Sequence, residues 1–538
     1  MRPRLLATVT LLLTALIALP AQAQAAPPLA PTPPMGFNNW ARYECGVTEA
    51  IMVRNADALV STGLAAKGYD TVTVDDCWMT RNRDAAGNLV TDTARFPRGM
   101  KWLADYVHGK GLKFGIYDDA GTLTCGGFAG SWNHFQQDAN LFAAFGVDYL
   151  KLDGCNVPSV SGQTREQTYR NAYSQMAQAL ANSGRAIVFS ESAPAYFQGS
   201  ADWYTVLGWV AQFGQLWREG FDIAVHENTN KWSSVLGNYG YNTPLSRYAG
   251  PNHWNDPDFL ITGDGLTDEE SRSQVSLWSM MAAPLILSTD VAALTPAQVT
   301  IAGNADVIAV DQDPLGIQGG VVAANGTVDT LAKPLSGGAR AVAMLNRGNT
   351  TTTATTSIAA IGYLGGAGCG FTLKNLWTGA TSSTTGTISA SVPPHGTVLF
   401  RITPGSGCTA SRPTGQITGI AGKCVDDSGS GTADGTQQIL FGCTGNPNQR
   451  WTLPGDGTVR TLGKCLTANG TGDGALVQLF ACTGTATQRW TYRQNGNLVN
   501  AASSKCLDVL GGGSADLTRL GVWPCGTNQA NQIWSLPV

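Results

Sequence analysis

The chain has 538 residues, 43% of them hydrophobic and 13% charged, which is too long for one core and leaves ample apolar content for roughly two to four domains. Its formal charge of −4, or −6 without Arg2 and Arg4 of the leader described next, argues against a nucleic-acid partner or an anionic membrane surface. Beyond the leader no run approaches about 18 uninterrupted apolar residues, so no membrane span is expected.

Residues 1–26 carry Arg2 and Arg4, an apolar run from Leu5 to Leu19, Pro20 and then AQAQAA. That pattern is a secretory signal peptide with cleavage expected after Ala23, Ala25 or Ala26, and the mature protein is expected outside the cell. Export also decides the reading of the cysteines. Twelve of them, at 45, 77, 125, 155, 369, 408, 424, 443, 465, 482, 506 and 525, form an even set that an oxidising compartment should pair as disulfides.

From Pro27 to Gly319 short apolar runs alternate with helical stretches. The strand candidates are MGF (35–37), TVTV (71–74), KFGIY (113–117), VDYLKL (147–152), AIVF (186–189), weak ones at 215–217 and 253–254, and PLIL (284–287). Eight strand-then-helix units predict a (β/α)8 TIM barrel over 27–319, with RGMKWLADYVHGKG as a packing helix through Leu103, Tyr106 and Val107 that stops at Gly111. A doubly wound open sheet is the alternative, weakened because no glycine-rich phosphate fingerprint follows the first strand.

Residues 320–403 change to Thr, Ser, Gly and Ala with short alternating segments, the pattern of a small antiparallel β-sandwich. PGSGCTASRPTG (404–415) reads as a flexible linker. In 416–538 GKCVDD, GKCLTA and SKCLDV recur every 41 residues, each followed by a second cysteine and then Gln-x-Trp. Three copies of about forty residues, each too small for a core, imply a pseudo-threefold unit around one shared core. The segment resembles the ricin-B-type β-trefoil carbohydrate-binding module. The resemblance implies sugar sites at Asp426, Phe441 and Asn448 in the first repeat and at Asp508, Trp523 and Asn531 in the third. Thr467 and Thr487 stand in the middle repeat, whose site is expected to be lost.

Parallel barrel strands deliver their ends to one face, where polar residues far apart in sequence meet. VDYLKLDGC is the strongest such strand. Its short apolar run lies between Gly146 and Gly154 and ends on Asp153, one side-chain step past Lys151. The other strand ends supply Trp40, Asp75, Asp76, Tyr117, Glu191, Ser192, Arg218, Asp222, Asp256 and Asp258. There is no His cluster, CxxC or Ser/His/Asp order. Asp75, Asp76, Asp256 and Asp258 leave a cation site open, but carboxylates around an aromatic floor are what glycosidic cleavage requires, one ionised to attack and one protonated to assist departure. That chemistry needs no cofactor.

PPMGFNNW, TVDDCW, GIYDDAG, LTCGGFAGSW, YLKLDGC, WREGFDI and WNDPDFL resemble, in order and spacing, the retaining α-galactosidases and α-N-acetylgalactosaminidases of glycoside hydrolase family 27, over residues 33–402. The resemblance implies that Asp153 is the nucleophile and Asp222 the acid/base. It gives Asp75 and Asp76 the 6- and axial 4-hydroxyls of the sugar, Lys151 the 3-hydroxyl and Arg218 the 2- and 3-hydroxyls. Trp40, Asp258 and Tyr117 pack against or line the pocket. It also implies disulfides Cys45–Cys77 and Cys125–Cys155, and as partners galactose-containing oligo- and polysaccharides, with a monomer or homodimer left open. At FSESAPAY the residue beside the sugar's 2-position is open: Glu191 would bond a 2-hydroxyl, whereas Ser192 and Ala195 would leave room for an acetamide. The expected activity is α-galactosidase, with α-N-acetylgalactosaminidase, β-L-arabinopyranosidase and a non-enzymatic lectin-like protein as alternatives.

Overall fold

The computed structural model describes residues 28–363, 369–405, 408, 414–454, 456–493, 496–526 and 529–537. The leader and its cleavage positions lie outside them. Among the described residues one sheet is made of eight parallel strands: β1 Met35–Asn38, β2 Thr71–Val74, β3 Lys113–Asp119, β4 Tyr149–Asp153, β5 Val188–Glu191, β6 Leu216–Arg218, β7 Trp254–Asp256 and β8 Leu285–Leu287. Their order is β7-β6-β5-β4-β3-β2-β1-β8. The ring closes through the segment after β7, where Leu260 N–H donates to Ile286 O and Ser288 N–H donates to Leu260 O, both at 2.8 Å. A closed parallel ring is a (β/α)8 barrel, and the open-sheet alternative falls.

The weak strand signals have a physical cause. β6 and β7 are three residues long and end on charged groups, Arg218 and Asp256, so little apolar sequence marks them. β5 begins at Val188, two residues later than expected, which draws Ser190 and Glu191 into the strand. The helix Gly99–Gly109 buries Met100, Leu103, Ala104 and Val107 on one face, each large side chain contributing about 1.5–3 kcal/mol. It stops where Gly111 takes φ +78°, a left-handed conformation that disfavours any side chain. Tyr106, expected on that face, is only half buried and donates its hydroxyl to Asp57 at 2.8 Å.

The second region is a six-stranded antiparallel sheet facing a two-stranded one. Leu331, Ala341, Ala343, Leu345 and Leu399 belong to the barrel's own hydrophobic cluster, so the sandwich shares a core with the barrel. The helix Asp268–Met281 lies in that seam, with Lys333 Nζ donating to Ser279 O at 2.8 Å and Trp377 Nε1 donating to Ser276 Oγ at 2.9 Å.

The C-terminal module repeats one hydrogen bond three times. Trp451, Trp490 and Trp534 are buried around one core and donate Nε1–H to Val425 O, Leu466 O and Leu507 O at 2.8, 2.9 and 2.9 Å. Each repeat is closed by its own disulfide, Cys424–Cys443, Cys465–Cys482 and Cys506–Cys525. Of the expected linker, residues 406–407 and 409–413 lie outside the described residues; Cys408 is bonded to Cys369, and Thr414 and Gly415 already pair with Trp451 and Thr452. The module also touches the barrel, contrary to the expectation of a free module on a tether: Arg247 Nη1 donates to Gly419 O at 3.4 Å, and its guanidinium lies over Tyr204 and Tyr248.

The threefold pattern is broken at one backbone position. Gly435, Gly474 and Leu517 donate N–H to Leu479 O, Val522 O and Leu440 O at 2.7, 2.9 and 2.9 Å, with φ of +89°, +75° and +67°. Leucine is strained there by about 1–2 kcal/mol, and it is 65% exposed, so burial returns little. Leu517→Gly is therefore predicted to raise the melting temperature of the module's transition in calorimetry, even after glycine's greater loss of chain entropy, about 0.5–1 kcal/mol. A lower melting temperature would mean that the leucine's packing outweighs its strain.

Candidate active site

Parallel strand ends bring the polar residues to one mouth, and a network of buried ion pairs holds them. Asp75, just beyond β2, accepts from Asn38 Nδ2 at 2.6 Å and from Lys151 Nζ at 2.8 Å on the same oxygen, while its own N–H donates to Asn39 Oδ1. Burial alone would lower the Lys151 ammonium, but Asp75, Asp153 and Asp258 together hold it above its usual value, so it is a fixed cation. Its Nζ lies 5.1 Å from the Tyr117 ring centre and 5.2 Å from that of Phe259. Asp76 accepts from Cys77 N–H at 2.6 Å and from Gly126 N–H at 2.8 Å; burial nevertheless pushes its carboxyl upward.

Asp153 ends β4 with its side chain open to the mouth. Oδ1 accepts from Tyr196 OH at 2.5 Å and from Gly154 N–H at 2.9 Å, and Oδ2 accepts from Tyr117 OH at 3.3 Å. Burial, then the charge of Asp153, raises both phenols, so they remain donors. Oδ2 is the more loosely held of the two oxygens. Asp119, paired with Asp153 across β3 and β4, accepts from Gly121 N–H and Cys155 N–H and so fixes the loops after both strands. Disulfides Cys45–Cys77 and Cys125–Cys155 are formed, and no cysteine is free among the described residues.

Opposite these groups buried Arg218 ends β6, paired with buried Asp258 at 2.9 Å and with Asp222 at 3.0 Å. The Asp222 side chain is 76% exposed at the mouth. Loss of water to the surrounding walls of the mouth works to raise its carboxyl, but the charges of Arg218 and Lys151 outweigh this and hold it below the usual range. Asp258 is pushed up to about 6, chiefly by burial, against the pull of Arg218. It has φ +79°, a strained conformation worth roughly 1–3 kcal/mol, held in part because its carboxylate accepts Ile223 N–H at 2.7 Å. Glu219, unremarked in the sequence, braces this segment: it accepts Asp256 N–H at 2.9 Å and the Asn242 amide, and burial raises its carboxyl strongly.

The arrangement does not suit the cation that Asp75, Asp76, Asp256 and Asp258 left open in the sequence. Asp75 is taken by Lys151 and Asp258 by Arg218, which leaves no open carboxylate cage. Asp119, Cys125 and Cys155 lie close enough to ligate an ion, but the two sulfurs are joined in a disulfide.

Strand five corrects the expectation for Glu191. Ser190 pairs with Lys151 on the barrel's interior face, and Glu191 pairs with Leu152 on the face toward the helices. Glu191 therefore cannot reach a sugar hydroxyl. It is fully buried beside Gly214, where a Cβ would come within 2.4 Å of its Oε1, and among the described residues no side chain donates to either of its oxygens. Ser192 is buried and opens the 3₁₀ turn Ala193–Phe197, which carries Ala195 and Tyr196. Tyr196 was missed because its partner, Asp153, lies 43 residues away and only the turn joins them. Trp40 is half buried, its N–H donating to Asn38 Oδ1.

In the trefoil, Asp426 Oδ2 accepts from Asn448 at 2.9 Å and Gln449 at 2.8 Å, and Asp508 Oδ2 accepts from Asn531 at 2.9 Å and Gln532 at 2.7 Å. In each, these bonds engage Oδ2 alone. Phe441 is half buried and Trp523 is 45% exposed. In the middle repeat Gln488 donates to Thr467 Oγ1 instead, and no carboxylate stands at that position.

Burial pushes the Glu191 carboxyl well above its ordinary value. A raised folded value means stability that is complete below the unfolded value, about 4.3, and is lost as pH rises toward the folded one. Glu191→Gln is accordingly predicted to gain in melting temperature over the wild type as pH rises from 5 to 8. A gap independent of pH would show that Glu191 is not held neutral.

Residues 32–313 match the family model described as Alpha galactosidase A, residues 325–402 that of an alpha galactosidase C-terminal beta sandwich domain, and residues 413–534 that of a ricin-type beta-trefoil lectin domain. Alpha-galactosidase A of Aspergillus niger is 42% identical over 453 residues, 82% of this chain and 82% of that protein. A probable alpha-galactosidase A of Aspergillus oryzae is 42% identical over 517 residues, 95% of this chain and 93% of its own. The crystal structure of alpha-galactosidase I from Mortierella vinacea is similar with a TM-score of 0.63 at 28% identity, covering 71% of this chain and 98% of that one.

Proposed function

The chain belongs to the alpha-galactosidase A family, glycoside hydrolase family 27, and from that membership we infer an exo-acting α-galactosidase in which Asp153 is the nucleophile and Asp222 the acid/base. The observation that carries these roles is the contrast between the two carboxylates. Asp153 is steadied by three donors at the end of β4, while Asp222 stands exposed on Arg218 across the mouth.

In this reading Asp153 Oδ2 attacks the anomeric carbon while Asp222 gives a proton to the departing oxygen. Water, activated by the same Asp222, then releases the sugar with its configuration retained. Arg218 favours ionised Asp222 in the free protein, so the proton is held only once the substrate covers the mouth, takes water from the carboxylate and engages Arg218 with its own hydroxyls. Asp75, Asp76, Lys151 and Arg218 hold the ring hydroxyls, with Trp40, Tyr117 and Asp258 as walls. No cofactor enters the chemistry. The trefoil takes a galactose-containing polysaccharide at Asp426, Phe441 and Asn448 and at Asp508, Trp523 and Asn531. Six disulfides fit an oxidising compartment, and we read the leader as the route of secretion.

Asp153→Asn is predicted to lose essentially all turnover of an aryl α-galactoside while still binding galactose, measured by calorimetric titration. Proton NMR of the wild-type reaction should show α-galactose as the first product. Wild-type rates in the variant, or β-galactose first, would remove the double displacement.

The outward orientation of Glu191 favours a second reading at the sugar's 2-position. With small Ser192 and Ala195 beside Tyr196 on the segment that reaches the mouth, space is left for an acetamide. The aryl α-galactoside should be the better substrate, in line with the relatives, with measurable hydrolysis of the α-N-acetylgalactosaminide by the same preparation. Complete inactivity on the acetamide would close this reading.

A further inference from the structure

Phe221 stands immediately before Asp222 and is 70% exposed, the most exposed large hydrophobic side chain among the described residues. Its backbone is not loose. Its N–H donates to Gln198 Oε1 at 2.9 Å, and its carbonyl accepts from Tyr241 OH at 2.9 Å and from Asn238 Nδ2 at 3.4 Å. Gly220, just before it, passes so close to Tyr241 that a Cβ would lie 2.5 Å from the ring. The chain on the other side is fixed by Ile223 N–H on Asp258. An apolar ring is thus presented to water on a rigid segment beside an exposed carboxylate. Folding alone gives no reason for this, because exposure forgoes the ring's burial energy.

We propose that Phe221 is the platform of a leaving-group subsite, receiving the apolar face of the first ring beyond the glycosidic oxygen. The proposal rests on the acid/base reading of Asp222. The departing oxygen must come within about 3 Å of that carboxylate, and adjacent Cα atoms are only about 3.8 Å apart, so the next ring lies within reach of Phe221. The chemistry of the surface sets the class of leaving group: a pyranose with an exposed C–H face, or an aromatic aglycone, in preference to a small or highly charged one. Phe221 binds and orients; it takes no part in proton transfer.

The test compares kcat/KM for three substrates of the full-length protein. Melibiose has a ring and needs the acid. 2,4-Dinitrophenyl α-galactoside has a ring whose phenolate leaves without a proton. α-Galactosyl fluoride offers neither ring nor need. Phe221→Ala should lower the ratio of dinitrophenyl galactoside to fluoride by about five- to tenfold, and Phe221→Trp should restore it. Asp222→Asn should depress kcat/KM for melibiose far more than for either substrate whose leaving group departs without a proton. An unchanged ratio in Phe221→Ala, or equal losses on all three substrates, overturns the platform. Undiminished melibiose hydrolysis by Asp222→Asn overturns the acid/base reading instead.

Discussion

The site depends on two cations held almost out of water, Lys151 and Arg218. Lys151 is 7% exposed and Arg218 5%, and each is neutralised by a buried aspartate, Asp75 and Asp258. Neither half of such a pair tolerates loss of the other, since an uncompensated buried charge costs about 3–5 kcal/mol. The pairs join β4 to the end of β2 and β6 to the loop after β7, so the charge balance that shapes the pocket also ties its strand ends together. The mouth is already arranged before any ligand arrives, which spares the reorganisation cost that limits catalysis in water.

The loops are fixed by the same economy of groups. Asp76 and Asp119 spend their oxygens on backbone N–H groups of Cys77, Gly126, Gly121 and Cys155, while disulfides join Cys45 to Cys77 and Cys125 to Cys155. The two carboxylates of the proposed reaction then differ by environment. Asp153 sits among donors that steady its charge, whereas Asp222 sits at an open edge where covering or uncovering Arg218 changes its affinity for a proton.

The C-terminal module shows how a repeat diverges without losing its fold. The indole-to-carbonyl bond of Trp451, Trp490 and Trp534 is the same in every repeat because the shared core requires it. Positions outside that apolar core are under no such demand, and there the repeats differ: carboxylates at Asp426 and Asp508 against Thr467, and glycine at 435 and 474 against Leu517.

Patterns along the chain determined much of this protein. The eight strand positions, Asp153 beyond its apolar run, the paired cysteines and the threefold repeat are all legible because each depends on neighbours a few residues away, through strand alternation, turn chemistry or a fixed period. The direction of Glu191 was not legible: FSES has no apolar alternation to mark which of its residues face the barrel interior, and only the pairing of Ser190 with Lys151 and of Glu191 with Leu152 decides it. Tyr196 on Asp153, Glu219 bracing the segment around Asp256 and the docking of the trefoil against Arg247 were likewise decided only by the tertiary structure, because each is a contact between segments whose separation in sequence carries no signal of their meeting in space.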